Sequence, residues 1–323
     1  MNHQTEENPT NPIPWRPRES ARPAARAAAL PAARAIELFY PSLGHSDCIE
    51  RLEDASRNGG LSIVVGESGL GKTLLLDVCR DDLVLRHTVV VVRDPHEVRT
   101  DTRLLKAIIA QAGAKPSGRS GIALMGDLHE LTLALLRRDR PLRILIDNAE
   151  QLSGSQLELI RTILTNVSPA SGAIGIILFG KPALADKIDR RQGLVTQVEM
   201  RHTLNPFCRK DTAGMVRHRA KELSDAPLGR YHVAEDALNL IHTRARGNPA
   251  QILQITGLGI ASARAQQRTT IDAALVLEAL SSSRRPDGQQ RLPFDVFAGQ
   301  PGDSLPAPVV LFHERSGHGL EGG

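Results

Sequence analysis

Aromatic side chains are scarce in this 323-residue chain: six Phe, two Tyr and one Trp. A stacking platform for single-stranded nucleic acid relies on such rings, so the composition argues against one. Cysteine is equally sparse. Cys48, Cys79 and Cys208 form no CxxC pair and cannot all be bridged. That argues against a disulfide framework or structural zinc and favours a reducing, cytoplasmic setting. No apolar run approaches the ~18 residues a membrane-spanning helix requires, so no direct membrane insertion is expected. The 11 histidines show no HExxH or paired-ligand spacing, which gives metal catalysis little support. Blocks of consecutive basic residues are missing too. The 40 Lys+Arg against 36 Asp+Glu leave a net charge of +4. That surplus reads as arginine bias on an ordinary surface, or as weak attraction to nucleic acid or anionic lipid.

What is present is a middle able to fold between two proline-rich ends. Residues 1–35 hold six prolines and residues 284–323 hold five, out of 20 in all. Proline locks φ and removes an amide donor, so both ends are expected to be mostly disordered tails. Within the second, Leu305–Glu314 is the one apolar patch, either packed back on the body or serving as a docking peptide. Between them, short β-branched runs alternate with longer amphipathic stretches, the pattern of a parallel α/β sheet. Five strands are expected at Leu61–Val65, Thr88–Val92, Arg143–Ile146, Ile174–Phe179 and Val195–Met200. Helices are expected at Thr73–Arg80, Asp101–Ala112, Ala123–Arg138 and Ser155–Leu164, the last opening on a Ser155–Glu158 capping box. After Asn205-Pro206 the texture becomes purely helical, over Arg209–Leu223, Ala234–Arg246, Pro249–Gln266 and Ile271–Leu280. The expected domains are therefore an α/β unit over 36–204 and a small all-helical one over 205–283.

The strongest local signal is Gly66-Glu67-Ser68-Gly69-Leu70-Gly71-Lys72-Thr73, a full GxxxxGK[ST] between an expected strand and helix. Glycines let the backbone turn so that successive N–H groups face phosphate oxygens. Lys72 would place a point charge between the β- and γ-phosphates, and the Thr73 hydroxyl would ligate Mg²⁺. The following helix adds its N-terminal dipole. Binding of ATP with Mg²⁺ is the expectation.

Such a loop needs an acidic partner on a neighbouring strand. Asp147, after Arg143–Ile146, would reach the ion through water. The next residue, where hydrolysis commonly needs a water-orienting carboxylate, is Asn148, which cannot accept a proton. Glu150 is read either as a carboxylate that reaches the γ-phosphate or as a solvated residue capping the next helix. Nucleotide binding is thus better supported than cleavage.

Taken together, the loop, Phe39-Tyr40-Pro41 to His45, Leu145–Leu152 (LIDNAEQL), Leu178–Leu184 (LFGKPAL), Arg201–Pro206 and Gly247-Asn248-Pro249 resemble an AAA+ ATPase. Within that superfamily the chain is similar to ExeA-like secretion ATPases, a group related to the transposition helpers TniB and MuB. The resemblance implies a five-stranded core, a helical lid, a homo-oligomer and a partner in a secretion or mobile-element complex. Departures accompany it. The family's Asp-Glu-Ala-Gln becomes Asp147-Asn148-Ala149-Glu150. The sensor-1 amide becomes Lys181, which either approaches the γ-phosphate or is a surface residue. The inter-subunit arginine falls on Gln197, with Arg190, Arg191 and Arg201 nearby as substitutes. The lid arginine becomes Ala250, and Arg244 and Arg246 precede the motif. An arginine finger is worth roughly 10³–10⁵ in rate, so hydrolysis is expected to be slow or partner-dependent. Two further readings stay open: a helper ATPase on duplex DNA, and a non-hydrolysing scaffold. His45 is read as a helix cap or a pocket residue, Phe39 and Tyr40 as adenine contacts or core, and Cys79 as core.

Overall fold

The computed structural model describes residues 39–168, 170, 172–223 and 231–283. The expected tails, with Leu305–Glu314, lie outside the described residues.

Chain order begins with α1 (Leu43–Asn58), β1 (Gly60–Val65), α2 (Lys72–Leu83) and β2 (Thr88–Val92). It continues through α3 (Asp101–Gln111), α4 (Gly121–Leu136), β3 (Leu142–Ile146) and α5 (Gly154–Thr162). Then come β4 (Ile174–Gly180), α6 (Ala183–Asp189), α7 (Gln192–Val195) and β5 (Val198–Thr203). The five strands form one sheet in the order β2-β3-β4-β1-β5, every pairing parallel. Parallel strands need helical crossovers on both faces, so β3 and β4 are buried throughout and read as unbroken apolar runs.

The two-residue period of the strands divides the core cleanly. Leu61, Ile63, Leu142, Ile144, Ile174 and Ile176 face the layer of α3 to α6. Val64, Leu145, Ile177 and Phe179 face α1 and α2. Arg143 also lies on the α1 side, 1% exposed, with no carboxylate partner among the described residues. Its Nε donates to the Ser56 carbonyl at 2.9 Å and Nη1 to Leu142 O at 2.8 Å, while Nη2 also reaches Ser56 O. Ser56 sits in the last turn of α1, where carbonyls lack intrahelical partners and the dipole favours a cation. Burial draws the Arg143 pKa down to about 10, so the group still carries its charge at neutral pH.

The helical part comprises α8 (Arg209–Glu222), α9 (Glu235–Ala245), α10 (Pro249–Ala265) and α11 (Ala273–Ser282), packed round their own apolar cluster. It is not wholly helical. A two-residue parallel pair, β6 (His232–Val233) with β7 (Thr270–Ile271), ties its loops together. Strands that short leave no periodic trace.

Two other expectations are corrected. The fifth strand, expected at Val195–Met200, does not open at Val195: Gln192–Val195 forms α7, and β5 runs from Val198 to Thr203. The capping box on α5 is Ser153 with Gln156, one turn fragment earlier than Ser155 with Glu158. Gln156 is buried and also donates through Nε2 to Val98 O at 2.7 Å, an anchor that exposed Glu158 lacks.

Candidate functional site

Parallel β-sheets gather their loops at the carboxyl ends of the strands, and the site assembles there. The loop from Gly66 to Gly71 leaves β1 and ends at α2. Gly66 N donates to Gly180 O at the end of β4, which fixes the start of the loop against its neighbour. Gly69 and Gly71 have φ of +83° and +87°, a region that penalises any Cβ. Lys72 closes the loop on itself, Nζ donating to Gly66 O at 2.7 Å and Glu67 O at 2.8 Å. Burial pulls its pKa below the ordinary lysine value, against the opposing pull of Glu150, then Asp147 and Glu67.

Asp147 follows β3, which β4 separates from β1. It is buried, and its Oδ2 accepts from Thr73 Oγ1 at 2.7 Å. Two hard oxygen donors from segments 74 residues apart therefore meet at one point beside an ammonium group. That donor set fits Mg²⁺, which takes one or two protein oxygens and completes its shell with phosphate and water. The second carboxylate oxygen accepts from Asn148 N at 2.9 Å.

Asn148 adopts a left-handed conformation, φ +49°, and its Nδ2 donates to Arg93 O at 3.3 Å beyond β2. Glu150 turns the other way. Its Oε2 accepts from Lys181 N at 3.1 Å, and Lys181 Nζ stands 3.9 Å from Oε1. It does not cap α5, since Ser153 does so. Glu150 and Lys181 are thus brought together between the ends of β3 and β4. Lys187 Nζ secures the backbone there, donating to Glu150 O at 2.5 Å and Leu152 O at 3.2 Å.

Behind the loop, His45 is buried between three segments. Its Nε2 donates to Leu70 O at 2.9 Å, and Nδ1 accepts from the Ser42 hydroxyl at 2.7 Å. Its ring meets Phe39 and Phe207 edge-on, with centroids 5.7 and 5.5 Å away. The cap of α1 is Ser42, so the cap reading of His45 is corrected. Burial lowers its pKa and keeps it neutral. Phe39 is core, and Tyr40 lies against the helical part, where a Cβ on Gly214 would sit 2.0 Å from its hydroxyl. Cys79 is buried among apolar side chains, and burial pushes its thiol well up.

The helical part touches the loop directly through residues whose role was illegible in the sequence. Asn248 caps α10, its Oδ1 accepting from Ala250 N at 3.1 Å and Gln251 N at 3.3 Å. Its Nδ2 donates to Ser68 O at 2.8 Å, and Ala250 N donates to Gly69 O at 3.1 Å. A Cβ on Gly69 would lie 2.6 Å from Asn248 Oδ1, so only glycine permits this approach. Ala250 therefore contributes a main-chain donor where the family resemblance implies an arginine. Arg201 pairs with Asp189 at 2.5 Å, Arg191 donates to Lys187 O, and the Gln197 carbonyl accepts from Leu61 N at 2.9 Å. Among the described residues no helix is long and apolar enough to cross a membrane.

Residues 55–188 match a family profile described as "AAA domain". No curated protein matches the chain. Among solved structures it is similar to Cdc6p from Pyrobaculum aerophilum, at 18% identity and TM-score 0.57 over 82% of this chain and 74% of that one. It is similar to the Aeropyrum pernix ORC2 protein, in ADPNP–ADP complexes, at 18% identity and TM-score 0.54 over 82% and 70%. A third is the Thermotoga maritima RuvB Holliday junction branch migration motor, at 16% identity and TM-score 0.53 over 80% and 78%. Identities this low establish the fold alone. Residues 55–188 thus match an AAA domain profile, and the chain shares the fold of these AAA+ P-loop proteins.

Proposed function

We propose that this chain is a Mg·ATP-dependent AAA+ ATPase of ExeA-like type, whose nucleotide state assembles or regulates a larger complex as a homo-oligomer. The observation that carries the reading is the meeting of Thr73 Oγ1 and Asp147 Oδ2 at 2.7 Å beside Lys72. Main-chain amides of Gly66 to Thr73, including Glu67, Ser68, Gly69, Leu70 and Gly71, would take the phosphate oxygens. Lys72 would exchange the Gly66 and Glu67 carbonyls for the β- and γ-phosphates. Thr73 and Asp147 would hold Mg²⁺, which supplies charge neutralisation at the phosphates when bound. Bonds from Asn248 and Ala250 to the loop give the helical part a direct sense of what the loop holds.

The second reading is a helper ATPase on duplex DNA, of the TniB/MuB kind. The net charge of +4 and the likeness to a RuvB named as a Holliday junction motor favour it. Phosphate release above a Lys72→Ala blank is expected for the ATPase. Signal equal to that blank removes turnover and leaves an ATP-binding scaffold. Duplex binding that strengthens with ATP and falls log-linearly with salt would select the helper reading. No duplex binding at low salt removes it.

A further inference from the structure

We infer that Glu150, rather than Asn148, is the carboxylate that activates the attacking water, and that residue 181 positions it. The inference rests on the Mg·ATP reading above and specifies the chemistry of that site. Two observations lead to it. The first concerns the residue next to Asp147. Asn148 is turned toward β2, its amide nitrogen engaged by Arg93 O, and an amide has no basic oxygen able to accept a proton.

The second is the seat of Glu150. Its side chain is 13% exposed, and its carboxylate is fixed at the end of β4 by the Lys181 main-chain N–H. A Cβ at Gly180 would lie 3.0 Å from Glu150 Oε2, so the glycine leaves the carboxylate its room. The same Gly180 accepts from Gly66 N, which sets Glu150 one residue from the anchor of the phosphate-binding loop.

In the step itself, the water oxygen bonds to the γ-phosphorus as the bond to the β–γ bridging oxygen breaks. The water proton passes to a Glu150 carboxylate oxygen, ADP leaves with the bridging electron pair, and inorganic phosphate is released. Glu150 then returns its proton to solvent. Lys181 acts through Glu150: its N–H orients the carboxylate, and its ammonium stands 3.9 Å from Oε1.

The test compares Glu150→Gln and Asn148→Ala in the full chain with the wild type. Two readouts are taken: affinity for a fluorescent ATP analogue with Mg²⁺, and the ATP-to-ADP ratio recovered from quenched single turnovers. Glutamine keeps an acceptor for the Lys181 N–H and preserves the packing. General-base loss is worth about 10²–10⁴ in rate. Glu150→Gln is therefore expected to slow cleavage at least ~100-fold, to leave affinity within about threefold, and to yield bound ATP intact. Asn148→Ala is expected to lose less than about tenfold. Wild-type cleavage in Glu150→Gln, or an equal loss in Asn148→Ala, overturns the assignment. So does a wild type that binds ATP yet cleaves it no faster than Lys72→Ala, although nucleotide binding then stands. A wild type that binds no nucleotide overturns both readings, and the affinity measurement tells these two failures apart.

Discussion

Replacing Asn248 separates two jobs that one side chain performs. Its Oδ1 caps α10 by accepting from Ala250 N and Gln251 N, while Nδ2 donates to Ser68 O in the Gly66–Thr73 loop. Losing an N-cap to alanine costs about 1 kcal/mol. Losing one neutral hydrogen bond at a partly solvated site costs about 1 kcal/mol more. Asn248→Ala should then lower stability by about 2 kcal/mol. Asn248→Asp keeps an equally good cap but has no donor for Ser68 O, so about 1 kcal/mol remains. The same bond holds the loop in its binding shape, so affinity for ATP should fall about fivefold in the aspartate variant. Urea denaturation followed by circular dichroism gives the stabilities, and calorimetric titration gives the affinities. If Asn248→Asp matches the wild type in both, the contact between loop and helical part contributes nothing, and the proposed coupling through Asn248 is refuted.

Two other predictions concern charges in the body of the protein. Arg143→Met leaves the Ser56 and Leu142 carbonyls without their buried donor, a loss of about 2 kcal/mol in urea denaturation. A neutral result would mean that removing a buried cation offsets it fully. Asp82 has a buried Oδ2 with no hydrogen-bond partner among the described residues. Burial, with Glu53 and Asp81 nearby, raises its pKa to about 6. Across the window from 3.8 to about 6 the unfolded chain gives up a proton that the folded chain keeps. Stability from this group therefore falls as pH rises through that window. Asp82→Asn should add about 1–2 kcal/mol at pH near 7.5, and the gain should vanish at pH near 4. A gain that is independent of pH would contradict the assignment.

Much of the fold was legible because its signals are local. Four strands announce themselves as β-branched runs, and the sheet buries β1, β3 and β4 on both faces. The meeting of the Gly66–Thr73 loop with Asp147 was legible for the same reason, each being a short pattern next to a strand. What stayed hidden depends on contacts between distant segments. Ser155-x-x-Glu158 and Ser153-x-x-Gln156 are equal as patterns, and only the bond from Gln156 to Val98 decides between them. Val195 looks like strand until Gln192–Val195 closes as a helical turn, and β5, with exposed alternate residues, lacks the unbroken apolar run of its neighbours. Nothing in Glu150 alone says which strand end it will face, since Lys181 lies 31 residues away. Asn248 and Ser68 are 180 residues apart, and no spacing rule connects them.

The central claim is that Gly66–Thr73 and Asp147 form one site for a triphosphate and its magnesium ion. Isothermal calorimetry of the purified full chain with ATP, in the presence and absence of millimolar Mg²⁺, tests it most directly. The account predicts saturable one-site binding that tightens with Mg²⁺, is abolished by Lys72→Ala, and loses its Mg²⁺ dependence in Asp147→Ala. Folded protein that gives no binding heat with ATP at millimolar Mg²⁺ would contradict it.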